Sequence, residues 1–251
     1  MGYLAKEIGA TNIILTMIEL DKIHLGDCLE GMKLIEDGTI DLVASDPPYL
    51  VAYHTNRRKD KEHKFTTEIA NDSNEKFIYD LLAEYYRVLK DDSAAYIFCS
   101  ARTIPTFMDA AEKAGFTWKN TLIWRKNNGT VGDLVAQYQP YYEPCLYLNK
   151  GRCPLRNGRQ PDVWDFRKVA TEQLEHQNQK PLNVMEKCII NSSDKGDIVL
   201  DGCMGSGTTA LAALNNGRHF IGFEIDPEYH AVACRRIAKF NKNPSLGFDF
   251  D

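Results

Sequence analysis

Short apolar runs rich in Ile, Val, Leu and Tyr alternate along the chain with stretches whose apolar residues return every three or four positions. This is the pattern of an α/β domain with a mainly parallel sheet. Strands are expected at Lys22–Leu25, Ile40–Ser45, Ala94–Cys99, Trp118–Trp124, Pro144–Leu148, Ile198–Leu200 and Phe220–Glu224, seven in all. The helical repeat is clear in Phe77–Leu89, where Phe77, Leu81, Leu82, Tyr85 and Leu89 share a face, and it recurs in Thr103–Ala114 and Leu182–Ile190. Two stretches break the pattern and read as loops or small insertions: Ala52–Glu75, with Arg57, Arg58, Lys59, Lys61 and Lys64, and Gly151–Gln179, with Arg152, Arg156, Arg159, Arg167 and Lys168. The expected organisation is a partly ordered N-terminal extension over 1–20, one domain over 21–240, and a C-terminal tail over 241–251.

The totals agree with one domain: 251 residues, 43% of them hydrophobic, suffice for one substantial core. No apolar run approaches the ~18 residues of a membrane span, and no secretory signal opens the chain, so a soluble, cytoplasmic protein is expected. The seven cysteines (28, 99, 145, 153, 188, 203 and 234) form no Cys-x-x-Cys pair, which predicts reduced core fillers rather than disulfides or a metal site. A net charge of −5 argues against a protein that coats nucleic acid indiscriminately, so any such contact must come from local patches.

The segment Ile198-Val199-Leu200-Asp201-Gly202-Cys203-Met204-Gly205-Ser206-Gly207-Thr208-Thr209 reads as a strand, a glycine-rich turn and the start of a helix over Ala210–Leu214. That order puts backbone N–H groups at the carboxyl edge of a sheet, where open α/β folds bind ligands. A phosphate loop would need Lys at position 208, which is Thr, and a dinucleotide fingerprint would need another glycine spacing than 202, 205 and 207. Glu224, ending the following strand, suits the ribose hydroxyls of a nucleoside cofactor of little negative charge, and S-adenosylmethionine meets that description. A tight turn without a ligand is the plainer alternative.

A second turn, Asp46-Pro47-Pro48-Tyr49, follows the apolar strand Ile40–Ser45. Two prolines fix φ and remove two donors, so the turn presents acceptors on a stiff scaffold. Such a site suits an exocyclic amino group, held by the Asp46 carboxylate and the Pro47 carbonyl, with Tyr49 stacked on an extruded base. A rigid turn with a buried tyrosine is the alternative.

At these residues the chain resembles the β-class of DNA amino-methyltransferases, in which the Asp-Pro-Pro-Tyr segment precedes the glycine turn. Here Asp46 precedes Gly205, and the likeness runs over residues 22–239. It implies a single-domain, Rossmann-like methyltransferase fold with a seven-stranded, mostly parallel sheet and circularly permuted motif order. It also implies that Asp46, Pro47, Pro48 and Tyr49 are catalytic. Gly26-Asp27 matches a family position near the cofactor adenine, and His176-Gln177-Asn178-Gln179-Lys180-Pro181 keeps four residues of a segment beside its methionine end. The implied cofactor contacts are therefore Asp27, Lys180, Pro181, Asp201, Gly202, Met204, Gly205, Ser206, Gly207, Thr208 and Glu224. Trp124-Arg125-Lys126-Asn127-Asn128 and Glu143 match further family positions, with Trp124 read as a core residue.

The chain departs from the family at Cys203, where a Phe is common, leaving Met204 to offer the cofactor an apolar surface. It departs again near 150–178, where the family's target-recognition region is short here. A cysteine nucleophile, as used to methylate a ring carbon, is not expected, and Cys153-Pro154 reverses the Pro-Cys order of such enzymes. The implied activity is site-specific transfer of a methyl group from S-adenosylmethionine to adenine N6 in DNA, because the family's cytosine-N4 enzymes more often carry Ser in place of Asp46. Cytosine N4, RNA, a protein glutamine amide, and a catalytically idle binding module stay open as alternatives. Expected partners are DNA, with a homodimer and a cognate restriction endonuclease left open; nucleoid association would follow from DNA binding, and no membrane partner is expected.

Overall fold

The computed structural model describes residues 18–51, 70–129, 135–169 and 179–242. In chain order these form β1 (Lys22–Leu25), α1 (Cys28–Met32), β2 (Ile40–Ser45), α2 (Glu75–Val88), β3 (Leu89–Phe98), α3 (Ile104–Ala114), β4 (Thr117–Arg125) and β5 (Tyr142–Lys150). There follow β6 (Val163–Asp165), α4 (Leu182–Ser192), β7 (Ile198–Asp201), α5 (Thr208–Asn215), β8 (His219–Glu224) and α6 (Pro227–Lys242). The strands lie in one sheet in the order β1-β8-β7-β2-β3-β5-β4-β6.

The five strands from β1 to β3 are parallel, so their carboxyl ends share one edge. β5 runs antiparallel to β3 and β4 antiparallel to β5. The start of β5 and the end of β4 therefore join that same edge. The expected seven strands are present, and an eighth, β6, pairs parallel with β4 inside the stretch read from sequence as loop. Three residues, Val163-Trp164-Asp165, are too few for alternation to show, and Trp164 is held by packing, 3% exposed. β3 also begins earlier than its apolar run suggests, directly where α2 ends, because Lys90, Asp91 and Asp92 are polar.

Helices cover both faces, and the period-two alternation of the strands supplies each side. Val43, Leu200, Ile221 and Phe223 face α1, α2 and α3 through Met32, Leu81, Tyr85 and Phe107. Leu42, Val199 and Phe220 face α4, α5 and α6 through Val184, Ala212 and Ile237. Ile18 and Leu20, at the end of the expected N-terminal extension, pack into the first of these cores. The basic run Arg57–Lys64, residues 1–17, His176–Asn178 and most of the expected tail lie outside the described residues.

One buried hydrogen-bond chain joins the ends of β2 and β7. The Gly202 N–H donates to the Tyr85 hydroxyl at 2.9 Å, Tyr85 donates to Ser45 Oγ at 2.8 Å, and Ser45 donates to Asp201 Oδ1 at 2.8 Å. The approach is close enough that a Cβ on Gly202 would stand 2.6 Å from the Tyr85 oxygen, so only glycine fits. Tyr85→Phe leaves the Gly202 N–H buried without an acceptor and is expected to cost about 1–3 kcal/mol. Urea unfolding of the two proteins measures this, and an unchanged midpoint would contradict it.

Candidate active site

The sheet edge carries the Asp46–Tyr49 turn after β2. Asp46 Oδ1 accepts from the Tyr49 hydroxyl at 2.5 Å and Oδ2 from the Lys180 ammonium at 2.5 Å. Lys180, just before α4, also donates to the Tyr49 oxygen at 2.8 Å and stands 3.1 Å from Glu143 Oε2. The second Glu143 oxygen accepts from Lys126. Strand register assembles this group: Cys99 N–H donates to the Pro144 carbonyl, bringing the start of β5 beside β3, and Trp124 of β4 pairs with Glu143. Asp46, Lys180, Glu143 and Lys126 thus form a row of alternating charge, with both lysine side chains only 5% exposed.

Burial and charge oppose each other along the row. Burial would raise Glu143, but Lys180 and Lys126 overcome it and bring its carboxyl down to about 2. Burial would lower Lys180, but Asp46 and Glu143 hold it above the ordinary lysine value, so it stays an ammonium. Asp46 is raised, first by burial and then by the like charge of Glu143, against the pull of Lys180. Burial, then the neighbouring carboxylates, pushes Tyr49 well above its ordinary value, which keeps it a donor.

The glycine turn begins one strand away. Asp201 is consumed internally: Oδ1 accepts from Ser45 and from the Cys203 N–H, and Oδ2 accepts from Thr209 at 2.7 Å. Burial raises it from an ordinary 3.8 to about 6, against those hydrogen bonds. Its part is to shape the turn. Glu224 caps the neighbouring strand, accepting from the Gly205 N–H at 2.7 Å and the Asp226 N–H at 2.8 Å. Gly26 N–H donates to the Glu224 carbonyl, which sets Asp27 beside it, and Asp27 caps α1 through the Leu29 N–H.

Gly207 opens α5 at φ 83°, where a Cβ would also crowd Ala233 of α6. From α6, Arg236 braces the turn by donating to the Ser206 carbonyl and hydroxyl, while Thr208 starts the helix. The Met204 side chain is 4% exposed and packs into the core with Ile23 and Phe220.

Two turns, one with exposed acceptors and one rich in backbone N–H donors, thus lie side by side at the carboxyl edge, with the proline turn first in sequence. The DNA methylase family model fits residues 40–235. The chain belongs to that family. It is 32% identical to the putative methylase YubD of Escherichia coli K12 over 88% of this chain and 92% of that protein. It is 31% identical to the DNA adenine methyltransferase YhdJ of the same strain, over 84% and 81%. Among solved structures, the complex of M1.HpyAVI with SAM superposes with TM-score 0.65 at 29% identity, covering 86% of this chain and 98% of that one.

In this DNA methylase the structure brings together Asp46, Pro47, Pro48, Tyr49, Lys180 and Pro181 in one cluster. Asp27, Asp201, Gly202, Gly205, Ser206, Gly207, Thr208 and Glu224 lie around the neighbouring turn. Lys180, read as a cofactor contact, has the Asp46 and Glu143 carboxylates as its partners. Trp124 is a core residue, 3% exposed, its indole donating to the Phe166 carbonyl. Pro144-Cys145 does have the Pro-Cys order, but the thiol lies in the core and burial pushes it well above its ordinary value, which makes a poor nucleophile. Sequence reasoning missed Tyr85, Ser45 and Arg236. Nothing local marks them, since each reaches its partner from another element.

Asp201 and Glu143 give folding stability opposite pH dependences. Glu143, depressed to about 2, contributes stability above its ordinary 4.5 that is lost as pH falls toward 2. Asp201, raised to about 6, is most favourable below 3.8, and that contribution is lost as pH rises to about 6. Asp201→Asn, which can keep the Ser45, Cys203 and Thr209 contacts, is expected to flatten the stability profile between pH 4 and 6. Urea midpoints across that range test it, and a profile identical to that of the native chain would exclude the assignment.

Proposed function

We propose that this DNA methylase transfers the methyl group of S-adenosylmethionine to the N6 amino group of adenine at specific sites in DNA. The observation that carries the reading is a half-buried carboxylate, Asp46, paired with Lys180 beside a glycine turn whose Gly205 N–H donates to a second carboxylate, Glu224, at the end of β8. The acceptor set around the turn fits this cofactor: Glu224 offers acceptors to ribose hydroxyls and would repel a ribose phosphate, and Asp27 stands beside it for the adenine. Asp27, Gly205, Ser206, Gly207, Thr208 and Glu224 would hold it, with Lys180 and Pro181 at the side of the catalytic turn. When bound, S-adenosylmethionine supplies an electrophilic methyl on a sulfonium.

The chain's own residues prepare the acceptor nitrogen. Each Asp46 oxygen already accepts one donor and keeps a second lone pair for an N–H of the amine. That hydrogen bond, with one to the Pro47 carbonyl, favours the tetrahedral nitrogen on which the lone pair is available. The amine is paired in duplex DNA, so the base leaves the stack, and the Tyr49 ring beside Asp46 offers it a face. Alignment and exclusion of water supply much of the acceleration.

Asp46→Ala is expected to lower methyl transfer by at least about 10²-fold, the scale of losing one preorganised polar contact to the reacting group. Plasmid DNA incubated with labelled S-adenosylmethionine, then digested and analysed by mass spectrometry, reads the product. N6-methyladenine is expected; N4-methylcytosine would overturn the base assignment, and label in protein alone would reject this chain as the catalyst of DNA methylation.

A further inference from the structure

The mechanism above uses Asp46 and leaves two charged groups of its row without a task, half-buried Glu143 and buried Lys126. Neither meets the Asp46 carboxylate directly in a hydrogen bond, yet both belong to its row. The Lys180 ammonium lies 2.5 Å from Asp46 Oδ2 and 3.1 Å from Glu143 Oε2, so two carboxylates share one cation. Lys126 neutralises the far oxygen of Glu143. Tyr49 spans the same pair, its hydroxyl 2.5 Å from Asp46 and 3.4 Å from Glu143.

A lone Lys180–Asp46 pair would commit the ammonium wholly to the carboxylate that must receive the substrate amine. A lone Asp46 would take up a proton in its buried site and become a donor on the oxygen needed as acceptor. The row of four avoids both extremes.

We propose that Glu143 and Lys126 are positioning residues for methyl transfer. They act through Lys180, dividing its ammonium between two carboxylates so that Asp46 stays an anion with acceptor capacity for the incoming amine. Glu143 draws Lys180 away from Asp46, and Lys126 limits that draw by occupying the other side of Glu143. This inference rests on Asp46 receiving the amine, as proposed above.

The opposed action gives the test its signs. Asp46 is faced by Tyr49 and Lys180 directly, by Glu143 from β5, by the Cys99 thiol after β3 and by the Asp201 carboxylate at the end of β7. Lys168 lies beyond, near Lys126 and Glu143. Removing the Glu143 charge takes away a like charge and leaves Lys180 to Asp46 alone. Removing the Lys126 charge frees Glu143 to pull harder on Lys180.

The experiment titrates the Asp46 side-chain carboxyl by ¹³C NMR in the full chain labelled at aspartate, with the resonance assigned by its loss in Asp46→Asn. Glu143→Gln is expected to move the apparent midpoint down by about one pH unit or more, the scale of a close charge. Lys126→Met is expected to move it up. The acidic limb of single-turnover methyl transfer should shift the same way in each variant. Midpoints that stay in place, or that move in the same direction in both variants, would overturn the proposal.

A merely structural role would lower the amplitude of transfer and leave the limb where it was. Glu143→Gln is nearly isosteric and decides the direction alone if Lys126→Met does not fold. The carboxyl titration needs no turnover. Shifted midpoints in a chain inactive on DNA would refute the proposed function and leave only the charge coupling within the row standing, whereas unmoved midpoints in an active chain would overturn this proposal and leave the proposed function standing.

Discussion

The site depends on a single buried link, the hydrogen-bond chain from Gly202 through Tyr85 and Ser45 to Asp201. Strand pairing sets β2 beside β7 but says nothing about how the chain turns after each strand. The link adds that. Ser45 is the last residue before Asp46 and Asp201 the last before Gly202, so one network fixes the departure of both turns. All the bonds are buried, where a missing partner costs far more than a present one contributes. Tyr85 comes from the middle of α2, which ties the helical layer to the same point. Asp201 completes the network by shaping its own turn through Cys203 and Thr209.

The reversed part of the sheet contributes the other half of the site. In a wholly parallel sheet, β5 would present its carboxyl end at the reactive edge. Because β5 runs antiparallel to β3, its first residues lie there instead, and Glu143 reaches the Asp46 turn from the opposite chain direction. Lys126 leaves β4 at the same edge, one pair along. The Asp46 carboxylate and its charged neighbours thus come from four segments of the chain, brought together by two strand registers and the entry to α4.

Those long separations explain what the sequence could and could not disclose. β1, β2, β7 and β8, and the two turns after β2 and β7, are visible because their signals are local: apolar runs that stop at Pro-Pro or at glycines. The short strand β6 is invisible because Val163 and Asp165 are exposed and only Trp164 is buried. Position 204 was legible as apolar, yet the direction of the Met204 side chain was set by space next to β8, which periodicity does not encode. Lys180 was found through its motif, but its side-chain partners, Asp46 and Glu143, lie 134 and 37 positions away. A pairing over such distances leaves no mark in one sequence.

The charge balance of the site bears on what it can act upon. Asp46 and Glu143 against Lys180 and Lys126 sum to zero, and each ion has an opposite neighbour. A buried ion without such a neighbour would be costly, so the row is stable only while it stays neutral. An anionic reacting group, such as a transferring phosphoryl, would need an uncompensated cation, and this row has none to give. A neutral amine asks for acceptor lone pairs and leaves the balance intact. The site is therefore matched to an uncharged nitrogen by its electrostatics as well as by the acceptors on its turn, and the chain's overall charge of −5 does not work against it at that point.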